Sequence, residues 1–319
     1  MPQNTHIDKV GPEAARKAPD GNHSDPGMDA LRRNAVEIAQ RLAWNPGVHE
    51  SKFFSVRWSA MSAALGPVLD QVGRIARRRN DPDDLRWLRD NMSLLRTELG
   101  NTKNAFKGLR KLPQVHTPRG TTIPRVAAVA EAYLYAAEFN FNEAGFVAYL
   151  SAFQENTGLK FKELWALIPA LELILLEQIA ARGRKLLQNL EVSQSIGACV
   201  RSLIEINQLS WKEVIEPQIV FDKILRQDPL GTYSRMDFES RNLYRETLVK
   251  IAERSDSTEM EVASAALALA DQAHQRSFDD PRQAARESHI GFYLIGEGHG
   301  KGAGAAQLRA RIGFRASLW

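Results

Sequence analysis

Residues 146–179 read FVAYLSAFQENTGLKFKELWALIPALELILLEQI, and their reading decides the fold class. Apolar residues recur here at helical intervals, which predicts helices over about 142–156 and 160–185. The longest apolar run, Leu164 to Leu176, has 13 residues and is interrupted by Pro169 and Glu172. Crossing a bilayer takes ~20 apolar residues. The run therefore reads as a buried helix pair or one kinked helix, and no transmembrane segment is expected.

The same period continues on both sides. Downstream, segments over about 189–207, 210–227, 237–254, 258–276 and 281–289 read as helix. Thr258 with Glu261 fits a capping box, and Asp280-Pro281 fits an N-cap followed by proline at the first helical position. Upstream, helical spacing covers about 125–138, runs from Asp29 through Leu31, Val36, Ile38 and Leu42, and returns from Phe53 to Arg78. Trp44-Asn-Pro-Gly47 reads as a turn. Asp81-Pro82-Asp83-Asp84 predicts another helix start, with Leu85, Leu88, Met92, Leu95 and Leu99 on one face and Gly100 at its end.

No window alternates apolar and polar residues long enough for a sheet, and Gly291 to Ile295 (GFYLI) is the one fair strand candidate. The expected fold is all-α, a multi-helix bundle or irregular helical array. Its expected parts are a disordered tail over 1–28, N-terminal helices over 29–107, and a Pro/Gly connection over 108–124. A main helical domain over 125–295 and a glycine-rich linker with a basic tail over 296–319 complete it. Leu159-Lys-Phe-Lys-Glu163 and Leu209-Ser-Trp-Lys-Glu213 share a pattern at a spacing of 50, but two copies fall short of a helical repeat array.

Composition narrows the function classes. Hydrophobic residues make up 44% and charged residues 25%, and the net charge is +4. That balance is ordinary for a globular protein and too weakly basic for a dedicated nucleic-acid binder. The single Cys199 lies in an apolar stretch, which rules out an internal disulfide and a cysteine zinc site. A buried thiol, no secretory apolar core after Met1 and a reducing cytoplasm form the expected setting.

The motifs that resemble chemistry have cheaper explanations. Asp81-Pro-Asp83 spells a D-x-D, but no strand precedes it, and helix capping explains the same residues. The cluster from Gly296 to Gly304 lacks the βαβ unit of a dinucleotide site, so a linker is expected. The seven histidines show no metal-ligand spacing, and no nucleophile elbow appears. No catalytic residue, cofactor or metal is expected. A pair of carboxylates would be set by three-dimensional distance and is not legible in sequence. Two basic clusters are candidate partner contacts: Arg110, Arg119 and Arg125, with Lys103, Lys107 and Lys111 beside them, and Tyr233, Arg235, Arg241, Tyr244 and Arg245. A solvated face with ordinary i,i+4 pairing is the competing reading.

Several stretches, in order, resemble bacterial cyclic β-1,2-glucan synthases. They are LPQVHTPRGTTIPRV over 112–126, FVAYL to LLEQI over 146–179, and Trp87-Leu-Arg-Asp-Asn91. Leu209-Ser-Trp-Lys-Glu213, Asp228-Pro-Leu-Gly-Thr-Tyr-Ser-Arg-Met-Asp-Phe238 and His289-Ile-Gly-Phe-Tyr-Leu-Ile295 complete the set. The likeness covers about residues 85 to 296. It departs at His116-Thr-Pro-Arg119, where the family pattern is a glycine-rich turn, and at Ala127-Ala128. The resemblance implies the cytoplasmic region ahead of the first membrane helix of a large inner-membrane enzyme that uses UDP-glucose. The implied partner is the membrane glycosyltransferase domain or subunit, and the implied location is the inner face of the inner membrane. No catalytic residue of the family falls on this chain. A free-standing helical adaptor is the alternative, and a truncated or split gene would give the same sequence.

Overall fold

In the computed structural model, residues 26–42, 48–109, 111–117, 120–190, 195–296 and 302–313 are described. The expected turn at 44–47, most of the N-terminal tail, and Arg110 and Arg119 lie outside them.

The 146–179 stretch builds the centre of the molecule. Asn142 accepts the Gly145 N–H and starts α6 (Glu143–Asn156). The next element, α7 (Phe161–Leu187), is one continuous 27-residue helix that runs straight through Pro169. The helix-pair reading is therefore replaced by a single rod about 40 Å long. Every residue from Pro169 to Leu176 is buried, the signature of a helix apolar on all sides and enclosed by others. By length and composition α7 would suit a bilayer, yet 72% of its most apolar window is buried within the protein.

The enclosing helices follow from their stripes. In α1 (Pro26–Arg41), Leu31, Ala35 and Ala39 repeat every four residues and face α6 and α5 (Arg125–Ala136). In α2 (Phe53–Arg74), Met61, Leu65, Val68, Leu69 and Val72 face α7. The helix expected to run from Asp83 to Gly100 is two, α3 (Asp83–Asp90) and α4 (Met92–Ala105), broken at Asn91. Gly100 does not end α4, which continues five residues further.

Two other expectations give way. The Pro/Gly connection contains β2 (Lys111–His116) and β3 (Thr122–Pro124), which with β1 (Val48–Glu50) form a three-stranded antiparallel sheet. β1 and β3 are too short to show a period, β2 is buried at four successive positions, and Pro113 and Pro124 sit within the strands. GFYLI is helix: α15 (Ile290–Leu294), with Ile290, Gly291, Tyr293 and Leu294 buried.

The remaining elements form a second layer on the same hydrophobic core. They are α8 (Ile196–Gln208), α9 (Trp211–Ile215), α10 (Asp222–Leu225), α11 (Thr232–Arg235), α12 (Phe238–Ala252), α13 (Glu259–His274), α14 (Pro281–Glu287) and α16 (Ala303–Arg311). Thr258 and Glu261 form the predicted capping box of α13, and Asp280 accepts the Arg282 N–H at the start of α14. Part of the expected tail is helix, α16, which packs on α15 and α13 and buries Leu308, while 297–301 and 314–319 lie outside the described residues. The two repeat-like stretches each precede a helix, but Glu163 is buried and Glu213 exposed, as expected for coincidence.

Asp81 and Asp83 of the D-x-D are both bound to arginine, and Asp84 beside them caps another helix. Asp81 accepts the Arg78 N–H at 3.0 Å and the Arg89 guanidinium at 2.7 Å. Asp84 Oδ1 accepts the N–H groups of Ile196 and Gly197 at 2.9 and 3.3 Å, capping α8 from 112 residues away. Beside that cap, a Cβ on Gly197 would lie 2.6 Å from Trp87 Nε1. Glycine is thus required for Trp87 to dock. No group of three or more metal-ligating side chains forms among the described residues.

Candidate functional site

The densest polar cluster lies where α9, α10, α11, α12 and α15 meet. It begins with a short loop: Gly231 takes φ +61°, which lets the chain turn from α10 into the single turn of α11. Asp228, before that turn, accepts the Thr232 N–H at 3.0 Å and the Ile290 N–H at 3.0 Å. His289 Nδ1 stands 3.0 Å from both Asp228 oxygens, and its Nε2 stands 3.0 Å from the Tyr244 hydroxyl. A carboxylate only accepts, so the His289 proton belongs on Nδ1. In the neutral ring Nε2 then accepts from Tyr244.

One turn away, Asp222 and Glu216 hold three arginines. Arg245, fully buried, donates from Nε to Asp222 at 2.8 Å and from Nη2 to Glu216. Arg241 reaches Glu216 at 2.8 Å, and Arg226 bridges Asp222 at 2.7 Å and Glu216 at 3.0 Å. The Tyr233 hydroxyl donates to Asp222 at 2.5 Å. Charge-assisted bonds of this kind are the strong ones.

The electrostatics follow from this pairing. Burial alone would raise the acids. For Asp222 the bonds from Arg245, Tyr233 and Arg226 outweigh it, for Glu216 those from Arg241 and Arg245, and for Asp228 those from His289 and Ile290. All three carboxyls end below their ordinary range. Burial moves the Tyr244 hydroxyl the other way, upward, with the Asp228 charge adding to it. An Asp–His–Tyr chain resembles a proton relay, but its hydroxyl is made less acidic. Such a group holds its proton and is a poor nucleophile. An open depression of about 520 Å³ adjoins the cluster, lined by Glu213, Glu216, Asp222, Lys223 and Arg226 among others. Of the acids facing it, Glu216 and Asp222 are already bound to arginine, and Glu213 is exposed.

The proposed partner contacts fare unevenly. Tyr233, Arg241, Tyr244 and Arg245 come together in this cluster, with the two tyrosine rings 5.5 Å apart, and their polar groups face inward. Arg235 is exposed, donating to the Leu230 carbonyl at 3.1 Å. Arg125 joins none of them. It is buried against Glu163, at 2.9 and 2.5 Å, and donates to the Gly158 carbonyl at 3.0 Å. Burial by internal partners is what basic spacing could not reveal. Lys103 sits over the Trp58 ring.

A pair of carboxylates that sequence reasoning could not find lies between α4 and α7. Glu98 and Glu172 are 4% and 8% exposed, and Thr102 donates to Glu172 at 3.2 Å. Burial, followed by the Glu98 charge, pushes Glu172 up to about 7. Glu98 Oε2 is buried without a hydrogen-bond partner. Neither residue lines the depression at Glu216. A carboxylic acid poised near neutrality can serve as an acid or base, but both carboxylates here are buried between helices, where their protonation bears on stability.

No family model matches the chain. The chain is similar to the cyclic beta-(1,2)-glucan synthase NdvB of Rhizobium meliloti (strain 1021). It is 25% identical over a 319-position alignment that covers 73% of this chain and 11% of that protein. The chain therefore spans about a tenth of the relative's length. The likeness read from the motifs holds: the chain resembles a region of such a synthase. The motif residues have structural roles here. Asp228, Gly231 and Tyr233 shape the α10–α11 corner, and Asp237 caps α12. His289 is bonded to Asp228, and Gly291 lies where a Cβ would approach the Tyr244 hydroxyl to 2.5 Å.

Proposed function

We propose that this chain is a helical, non-catalytic accessory region of a cyclic β-1,2-glucan synthase, acting as a fragment or as a separate subunit. In this role it supports a membrane glycosyltransferase that uses UDP-glucose and does not itself transfer glucose. The observation that carries the reading is the fate of the family-like motifs. Asp228, Tyr233 and His289 each bind another element of the same fold and Asp237 caps its own helix, which supports reading what the chain shares with the synthase as an architecture.

The test is reconstitution. The tagged chain would be co-expressed with the membrane-embedded transferase part of such a synthase lacking the corresponding region. Glucan made from labelled UDP-glucose would then be measured in membranes. The expected result is co-purification and restored synthesis, with no turnover by the purified chain alone. UDP-glucose turnover by the chain alone would overturn the non-catalytic reading. Failure to associate would favour a free-standing helical adaptor.

A further inference from the structure

We propose that the end of the molecule where α2 and α7 terminate is a docking surface for anionic lipid headgroups at a bilayer. The two helices run in the same direction. Arg57 of α2 bonds Glu177 of α7 at 2.6 Å, and further along Val68 lies against Gly183. Their C-termini therefore emerge at one end, with α3 and the start of α8 beside them.

The charge of the chain is concentrated there. The described stretches 70–96, 182–190 and 195–201 hold 11 Lys and Arg against 5 Asp and Glu, so the remaining sequence of this +4 chain is close to neutral. The described acids of this end are all engaged. Asp70 bonds Arg96, Asp81 bonds Arg89, Asp83 bonds Arg86, Asp90 bonds Arg77, and Asp84 caps α8. Arg74, Arg78, Arg79, Arg184 and Lys185 are exposed and form no salt bridge among the described residues. The helix dipole explains cations in the last turns, Arg74, Arg184 and Lys185. It does not explain Arg78 and Arg79, which lie beyond α2.

An apolar group decides which polyanion fits. Leu190 is 55% exposed directly after α7, its N–H bonded to the Lys185 carbonyl at 2.9 Å. An exposed leucine at the basic end of the molecule matches an anionic bilayer, where the cations meet headgroups and the leucine enters the acyl boundary. Nucleic acid would use the cations and leave the leucine in water. The inference rests on charge placement and the exposed leucine, and stands or falls apart from the synthase reading.

The test is flotation of the purified full chain with vesicles of three parts phosphatidylcholine to one part phosphatidylglycerol, against pure phosphatidylcholine. Binding to the anionic vesicles only, weakening as salt rises, is expected. Each cation near such a surface is worth about fivefold in partitioning. Arg78→Glu, Arg79→Glu and Lys185→Glu together should cost at least on the order of a hundredfold. Reversing Lys223, Arg235 and Arg282 instead should leave binding within about twofold, since those sites are remote from the patch. Leu190→Asp should weaken binding several-fold with an unchanged circular dichroism spectrum. It also serves as the readout if the triple variant does not fold. The proposal is overturned by no binding to anionic vesicles at low salt, by equal losses in the two triple variants, or by duplex DNA binding more tightly than the vesicles.

Discussion

Two of the buried ionic clusters in this protein are built on opposite plans. Around Arg245, three guanidiniums and a tyrosine hydroxyl surround Asp222 and Glu216, so every acid has a cation. Between α4 and α7, Glu98 and Glu172 face the same apolar interior with a threonine hydroxyl and an asparagine amide as their hydrogen-bond donors. Burial costs a charged group several kcal/mol unless it is paired. The first cluster meets that cost with opposite charge, the second by keeping a proton. They should consequently respond to mutation and to pH with opposite signs.

The largest effect expected is from Arg245→Ala, which would leave Asp222 and Glu216 buried with too little positive charge. Removing one partner of a buried ion network costs about 3–5 kcal/mol, measurable as a lower urea midpoint. A loss under about 1 kcal/mol would mean that the cluster behaves like a surface pair, and the contrast would collapse. Next comes Asp228→Ala, which frees the Thr232 and Ile290 N–H groups and leaves His289 without its acceptor. The expected loss is about 2–3 kcal/mol. Because the Asp222, Glu216 and Asp228 carboxyls lie low in the folded state, their stabilisation is present above the ordinary carboxylate range. It is lost as pH falls through their folded values.

Glu172→Gln should do the reverse. The folded carboxyl sits at about 7, above its ordinary value, so folding favours its protonated form. That contribution is intact below about pH 4.5 and is lost as pH rises towards 7. At pH 8 the glutamine variant should be more stable than the parent by about 3 kcal/mol, and the advantage should vanish near pH 4. A pH-independent difference would show that the pair is ionised and compensated like the other cluster. The smallest effect sets the scale: Thr258→Ala, at an exposed capping box, should cost about 1 kcal/mol at any pH near neutrality.

What was legible in the sequence was local. Thr258 and Glu261 satisfy groups within one turn, and Asp280-Pro281 likewise, so spacing alone placed those helix starts. Asp81 and Asp84 carried the same signal but satisfy groups elsewhere, Asp84 on a helix 112 residues away. GFYLI was misread because five mostly apolar residues fit a strand as well as a short helix buried on several sides. The sheet escaped because β1 and β3 have only three residues each and the six-residue β2 is buried at four successive positions, with no alternation to detect. The Arg245 cluster and the Glu98–Glu172 pair join segments 23 to 74 positions apart, and no spacing rule reaches that far.

Cys199 carries a consequence for kinetics. The chain has one thiol. It is fully buried in the seam of α7 and α8, 3.0 Å from the Arg182 guanidinium, and burial pushes it up to about 11. At neutral pH it is almost entirely the unreactive thiol, so an aromatic disulfide reagent can modify it only when the seam parts. One colour change per chain then counts openings of that seam, and its rate reports how often the central helix loses its neighbour.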